Sequence, residues 1–469
     1  MAVARRTVPA LPQRDSAVGP MSDGDVPALP TSLLLVLAAL SACITAQGGY
    51  YTGGQLVTGF LLAGALVVGV RHQPLSGHEL RLGPVLASAG LAGWTIVTTL
   101  AVGGEALPVL GLLAAICAVL LVCRRTPAKA RDPLAVALLG IGVLVALSGW
   151  AGVAWRIDPL ALEDQELWRA ATTLTYANAT AGLLVPLVLL ALGRQLTHEP
   201  SGLPVRAAVT CVLLAGAGAT LSRGGGVALM AGVVALAALT GVGRTARALV
   251  GPTLGAVLAL GALAPSMPTA SSTRPALAVL GLAAGAMLAT ALDRAHARVQ
   301  VGATVLLVAA AALLVMGPLD RVGQSVSDAR VTLASDDRLA ETAAALRLLG
   351  DPPIMGTGPG GATLFFWGPD GEPLAARDAH NEYLQMLAEL GAVGLTLTVV
   401  LLIALARTVR AGRAIPPKAG LWAGAAAGLV ALAVHSAFDF LWHVPAIPLA
   451  AAALVGLTIH APPTAKEHV

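Results

Sequence analysis

Apolar runs of membrane-spanning length recur from residue 31 to residue 460, and they leave this chain little choice of fold. They lie near 31–48, 54–70, 84–102, 106–123, 134–154, 177–193, 206–221, 226–242, 249–264, 276–292, 299–317, 391–406, 420–436 and 444–460. A span of the bilayer core needs about twenty apolar residues, and in lipid the backbone must satisfy its own hydrogen bonds, so each run reads as a helix. Charged residues make up only 12% of the chain and mean hydropathy is +0.79. Soluble domains carry about twice that charge fraction. The sequence therefore predicts an all-α fold, a polytopic transmembrane bundle of about 12–14 spans. Its one obligatory partner is the lipid bilayer. The net charge of +4 is small, and the basic residues sit in short loops rather than on one face, which argues against nucleic acid.

Basic loop residues orient the bundle. With the N-terminus inside, the cytoplasmic loops hold Arg71 and Arg81, then Arg124, Arg125, Lys129 and Arg131, then Arg194 and Arg206, and later Arg244, Arg247, Arg294, Arg298 and the Arg407–Lys418 cluster. The short outer loops hold only Arg156, Arg169, Arg223 and Arg274. This asymmetry follows the positive-inside rule and puts both termini in the cytoplasm, with the protein in the cytoplasmic membrane. The expected organisation is a disordered tail at 1–30, a helical bundle at 31–317, an extracytoplasmic catalytic loop at 318–390, C-terminal spans at 391–460 and a short tail at 461–469. Residues 1–30 lack a clear cleavage site and do not read as a signal peptide. Cys43, Cys117, Cys123 and Cys211 form no CxxC pair and read as small core residues.

The large outer loop precedes the last three spans and is the longest polar stretch, so the chemistry is expected there. Leu339, Ala343, Leu346 and Leu349 are spaced as one face of a helix over 336–349. A second helix is predicted over 379–390, with Asp378 as its cap and Gly391 as its end. His380 then falls in the first turn. A helix N-terminus disfavours the imidazolium, and a neutral imidazole can act as a general base; a loop histidine that merely faces water is the equal alternative. Asn381 is placed to orient a ligand hydroxyl or the ring. Arg223, in LSRGGG between two spans, and Arg338, with Arg330, Arg347 and Arg377 nearby, are candidate anion binders, because the guanidinium fork matches phosphate; an interfacial anchor is the alternative for Arg223, and solvated surface charge is the favoured reading for Arg330, Arg347 and Arg377. MGTGPGG (Met355–Gly361) could turn backbone N–H groups, those of Gly358 and Gly360 among them, toward an anion, although a structural turn is the simpler reading. It is neither a P-loop nor a dinucleotide-binding turn. His435, Asp439 and His443 repeat at i, i+4 and would share a helix face; an ordinary polar helix end is favoured over a metal site.

These elements together resemble the O-antigen ligase and polysaccharide polymerase superfamily. His380-Asn381, nine residues, then Gly391-Ala-Val-Gly394 is similar to its H-N-x9-G-x-x-G signature. Arg338 followed by PPIMGTGPGG resembles its arginine-bearing helix and glycine turn, and LSRGGG resembles its S-R-G span; all three occur in family order. Thr342 departs from the aromatic usually found four residues after the loop arginine, which keeps Arg330 in contention beside Arg338.

The resemblance implies a GT-C-like, metal-independent, inverting glycosyltransferase that needs no cofactor. It would move glycan from an undecaprenyl-diphosphate carrier to an acceptor hydroxyl on a glycan, lipid or protein at the outer face, in cell-surface polysaccharide biosynthesis. On the same basis His380 is the implied base, and Arg223 and Arg338 the implied diphosphate binders. A protein O-oligosaccharyltransferase is one alternative within this chemistry. A flippase for lipid-linked oligosaccharide is another, although charged residues within spans and two related halves, which such a transporter predicts, are not seen.

Overall fold

The computed structural model describes residues 29–71, 75, 79, 82–196, 205–295, 299, 302, 343–345, 354–367, 371–413 and 419–459. Thirteen α-helices lie within these residues: α1 (Thr31–Thr45), α2 (Thr52–Val70), α3 (Gly83–Val102), α4 (Ala106–Arg124), α5 (Arg131–Trp155), α6 (Ala177–Leu196), α7 (Val205–Ala219), α8 (Arg223–Thr240), α9 (Val242–Leu263), α10 (Pro275–Asp293), α11 (Glu382–Ala411), α12 (Ala419–His435) and α13 (Ala446–Thr458). Nine are long and apolar enough to cross a membrane, and α1, α7, α12 and α13 are shorter apolar helices. The chain is a polytopic helical membrane protein. Of the span expected at 299–317, residues 299 and 302 are described and are helical, and the rest lies outside the described residues, as do Arg330, Arg338 and Arg347. Of the helix expected at 336–349, residues 343–345 are described and are helical.

Small residues set how closely the helices approach, as expected where lipid tails compete equally well for apolar side chains. Between α9 and α10, a Cβ added at Gly255 would lie 2.2 Å from the Gly285 carbonyl oxygen, and one at Gly285 would lie 2.3 Å from that of Gly255. The central helix is α6, buried continuously from Ala177 to Gly193. It packs backbone to backbone on α12, where a Cβ at Gly193 would sit 2.4 Å from the Gly420 oxygen.

Among the described residues, two hairpins interrupt the helical pattern. Strands β1 (Ala161–Asp164) and β2 (Leu167–Ala170) pair antiparallel, with Ala161 opposite Ala170. Strands β3 (Leu364–Trp367) and β4 (Pro373–Ala376) pair with Leu364 opposite Ala376. Apolar alternation within a polar loop was too short a signal to predict either.

The loop residues sort to two ends. At one, basic side chains tie helix ends together: Arg125 binds Glu79 through Nε (2.8 Å) and Nη2 (2.7 Å), and Arg194 binds Asp132 through Nε (2.9 Å) and Nη2 (2.8 Å). At the other end lie the α1–α2 and α3–α4 connections, the segment 156–176 with β1 and β2, the α7–α8 turn, residues 354–381 and residues 436–445. Arg156 there holds the carbonyls of Pro268 (2.6 Å) and Ser271 (2.5 Å), and Arg169 donates from Nε to the Thr220 carbonyl (2.8 Å) and pairs with Asp164. Two of the four arginines assigned to outer loops are thus held by neighbouring turns.

Candidate active site

The site is built around a break in α11. The prediction ended a helix at Gly391 and began a span there, but the helix runs from Glu382 to Ala411 and is only interrupted. Gly391 sits at φ 66°, ψ −170°, a region essentially closed to side-chain-bearing residues. The break would orphan the carbonyls of the preceding turn. The glycine turn supplies the missing donors: Thr357 N–H donates to the Ala388 carbonyl and Gly358 N–H to that of Glu389, both at 2.9 Å. From α3, Trp94 Nε1 donates to the Leu390 carbonyl at 2.8 Å. Glu105 N–H then donates to the Pro359 carbonyl at 2.7 Å, tying the turn to the α3–α4 connection. Close approach explains the glycines. A Cβ at Gly358 would lie 2.1 Å from the Gly103 oxygen, and one at Gly391 would lie 2.1 Å from the Ile354 oxygen. The Gly358 N–H considered for an anion is therefore engaged within the fold, and that of Gly360 faces the Glu389 carboxylate.

The N-terminal cap is Asn381, not Asp378. Its Oδ1 accepts from Tyr383 N–H (3.0 Å) and Leu384 N–H (3.2 Å), the bonding expected of an Asx cap. His380 thus stands ahead of the first turn rather than inside it. Its half-buried ring meets Phe440 edge-on, with centroids 5.4 Å apart and planes at 71°. Phe440 stacks in turn on Tyr176, at 5.2 Å and 13°.

Beneath these rings lies a polar chain. Tyr176 Oη donates to Asp439 Oδ1 (2.7 Å), Asn178 Nδ2 donates to Asp439 Oδ2 (2.5 Å), and Arg169 Nη2 donates to Asn178 Oδ1 (3.1 Å). Asp439 is buried, and these donors offset the cost of burying its charge. Arg223 opens α8 behind the cap Ser222, whose Oγ accepts from Gly225 N–H at 3.1 Å. The next residue, Gly224, is pressed against the α12 end: a Cβ there would lie 3.0 Å from His435 Cδ2 and 3.2 Å from Phe438 Cβ. The turns of Arg223 and His380 therefore meet on the same strip, residues 435–440.

His435, Asp439 and His443 do not share a helix face. Helix α12 ends at His435, a turn follows, and the three side chains go to different neighbours: His435 beside Gly224, Asp439 to Tyr176 and Asn178, His443 to the start of α11. Three residues separated by irregular turns cannot keep the helical register on which that expectation rested.

An acidic cluster under His380 was missed. Glu382 is fully buried; its Oε1 accepts from Trp442 N–H and faces His443 Nδ1 at 3.4 Å, while its Oε2 makes no hydrogen bond among the described residues. His443 Nε2 lies 3.9 Å from Asp378 Oδ1. Gln385 Nε2 donates to Glu389 Oε1 (2.7 Å), and Gln385 Oε1 accepts from Ala379 N–H (2.7 Å). Burial pulls the His443 imidazole toward neutrality, but Glu382, Glu389 and Asp378 outweigh it and raise its pKa to about 10. In sequence, Glu382, Gln385 and Glu389 fall at i, i+3 and i+7, a polar stripe on one helix face that marks a buried network.

Residues 261–399 match the model of the O-antigen ligase family. The match includes the glycine turn, His380-Asn381 and the Gly391 break, and it begins after the Ser222-Arg223 turn. A search of curated proteins found no match to the chain. The matched segment supports the same O-antigen ligase-like superfamily that the motifs resemble.

Proposed function

We propose that this protein is an inverting, metal-independent glycosyltransferase of the O-antigen ligase or polymerase type, acting at the outer face of the cytoplasmic membrane with both termini inside. The donor is a glycan on undecaprenyl diphosphate, and the acceptor is a hydroxyl on glycan, lipid or protein. One observation carries the reading: the turns bearing His380 and Arg223, 157 residues apart in sequence, come together on the strip 435–440 at the end of the bundle away from the basic loops.

In this reading the acceptor oxygen attacks the anomeric carbon opposite the diphosphate. A new glycosidic C–O bond forms and the bond to the diphosphate oxygen breaks, that oxygen keeping the electron pair. His380 accepts the hydroxyl proton, or orients the hydroxyl as it attacks. Arg223, with Arg338 or Arg330 from the outer loop, offsets the charge growing on the leaving diphosphate. The GT-C-like architecture and the single inversion belong to the same proposal.

The test is transfer by purified protein from an undecaprenyl-diphosphate oligosaccharide. Wild type, His380→Ala and Arg223→Ala are compared and the products sized. A ladder of repeats identifies a polymerase, and one transfer to a separate acceptor identifies a ligase, including one that uses protein as acceptor. Full transfer by His380→Ala removes its assigned role. Carrier movement across vesicles without transfer replaces this reading with the flippase.

A further inference from the structure

His380 sits on a turn with little secondary structure of its own, so something else must hold it in place. We infer that Glu382 and His443 form a positioning pair that clasps the His380 turn to the α12–α13 connection; this rests on the function proposed above and deepens its site. Five contacts converge on two adjacent residues. Glu382 N–H donates to the Ser436 carbonyl at 2.9 Å, Trp442 N–H donates to Glu382 Oε1, and His443 Nδ1 faces that same oxygen at 3.4 Å. Tyr383 Oη donates to the Ala433 carbonyl at 2.7 Å, and its ring meets Trp442 edge-on at 5.6 Å. Trp442 Nε1 donates in turn to Ser436 Oγ at 2.9 Å, which locks the receiving strip.

Backbone contacts alone would need no carboxylate. Glu382 is completely buried, and a buried carboxylate is tolerated only with compensation. It gains some from its place at the helix N-terminus and from the Trp442 N–H, and more from His443, whose other ring nitrogen faces Asp378, two residues before His380. The pair therefore brackets His380 from both sides in sequence. The contacts of both side chains run to each other, to Trp442 and to Asp378, so the role is positioning.

Glu382→Gln keeps the size and one acceptor oxygen but removes the charge. His443→Gln removes the partner. The double variant removes both, so Glu382 is not left as a buried carboxylate without its partner, and Glu389 keeps its Gln385 donor, which guards against simple misfolding. Misplacing a reactive group by about 1 Å can cost on the order of a hundredfold in rate. Each single variant is expected to lower kcat roughly 10–100-fold, with donor KM within about threefold of wild type. The double variant is expected to fall no further than the worse single one, because the two act as a unit. A second readout does not depend on turnover: carbethoxylation of His380 by diethyl pyrocarbonate, followed by peptide mass spectrometry, is expected to run severalfold faster in Glu382→Gln.

Wild-type kcat together with a wild-type labelling rate in a folded double variant overturns the inference. If wild type itself transfers nothing, the proposed function fails, while an altered labelling rate still supports the clasp. If wild type transfers and His380→Ala does not, yet both pair variants match wild type in both assays, only the clasp is wrong.

Discussion

Gly391→Ala tests whether the break in α11 organises the site. At φ 66°, ψ −170°, a residue with a Cβ carries about 1–3 kcal/mol of backbone strain. The new Cβ would also lie 2.1 Å from the Ile354 oxygen and 2.4 Å from its carbonyl carbon. Both are backbone atoms, so the turn itself must move. Moving it endangers the Thr357 and Gly358 hydrogen bonds to the Ala388 and Glu389 carbonyls, each contributing about 1 kcal/mol. The expected loss is about 3–5 kcal/mol, a large share of the ~5–15 kcal/mol by which domains are stable. Thermal unfolding in detergent, read as the fraction that stays monodisperse after heating, checks this. Gly93→Ala in α3 is the control, since a Cβ there meets nothing within 4 Å and alanine is the better helix former. A Gly391→Ala protein as heat-stable as the Gly93→Ala control would refute the account of the break and of the turn that caps it.

Asn381→Ala is expected to cost about 1 kcal/mol of stability through the lost cap, and Asn381→Asp to restore most of it; if Asp restores stability but not transfer, the Asn381 amide has a further role at the site. Trp94→Phe removes the donor to the Leu390 carbonyl and is expected to lower stability by about 1 kcal/mol with little change in packing, measured by the same heating assay. His443 gives a pH signature. Its folded-state pKa is raised to about 10, so its stabilisation is complete below the unfolded value of about 6.5 and is lost as pH rises through 10. The melting temperature of wild type is expected to decline across that window, and His443→Gln to show a shallower decline; equal slopes would contradict the charged pairing. Transfer is expected to persist in EDTA, and abolition reversed by a divalent cation would contradict metal independence.

What the sequence made legible was what a single local pattern encodes. Apolar runs gave the bundle because lipid forces each run to close its own backbone bonds. The segregation of arginines foreshadowed the two ends, and Arg125 and Arg194 do tie together the end opposite the hairpins. The glycine turn and the His-Asn pair were visible as motifs, yet their relation was not. Nothing local says that Gly358 donates to the carbonyl of Glu389, 31 residues on, because the need arises only once Gly391 breaks the helix.

The same reasoning accounts for the misplaced cap and the missed cluster. Asp378 and Asn381 are both good caps by composition, and the choice fell to Asn381 because Glu382 N–H is anchored on Ser436 and Glu382 itself is buried against Trp442 and His443. A carboxylate has no value there until α12 ends at His435 and swings His443 beneath the turn. Its partner lies 61 residues away, so neither residue could be recognised without the other. Asp439 follows the same pattern: its donors, Tyr176 and Asn178, stand at the head of α6, more than 260 residues earlier. Local motifs therefore mark the residues that present chemistry, whereas the charges that hold them in place are set by tertiary packing. It follows that substitutions at His380 and at Glu382 probe different things, the first the chemistry of the hydroxyl and the second the geometry that delivers it.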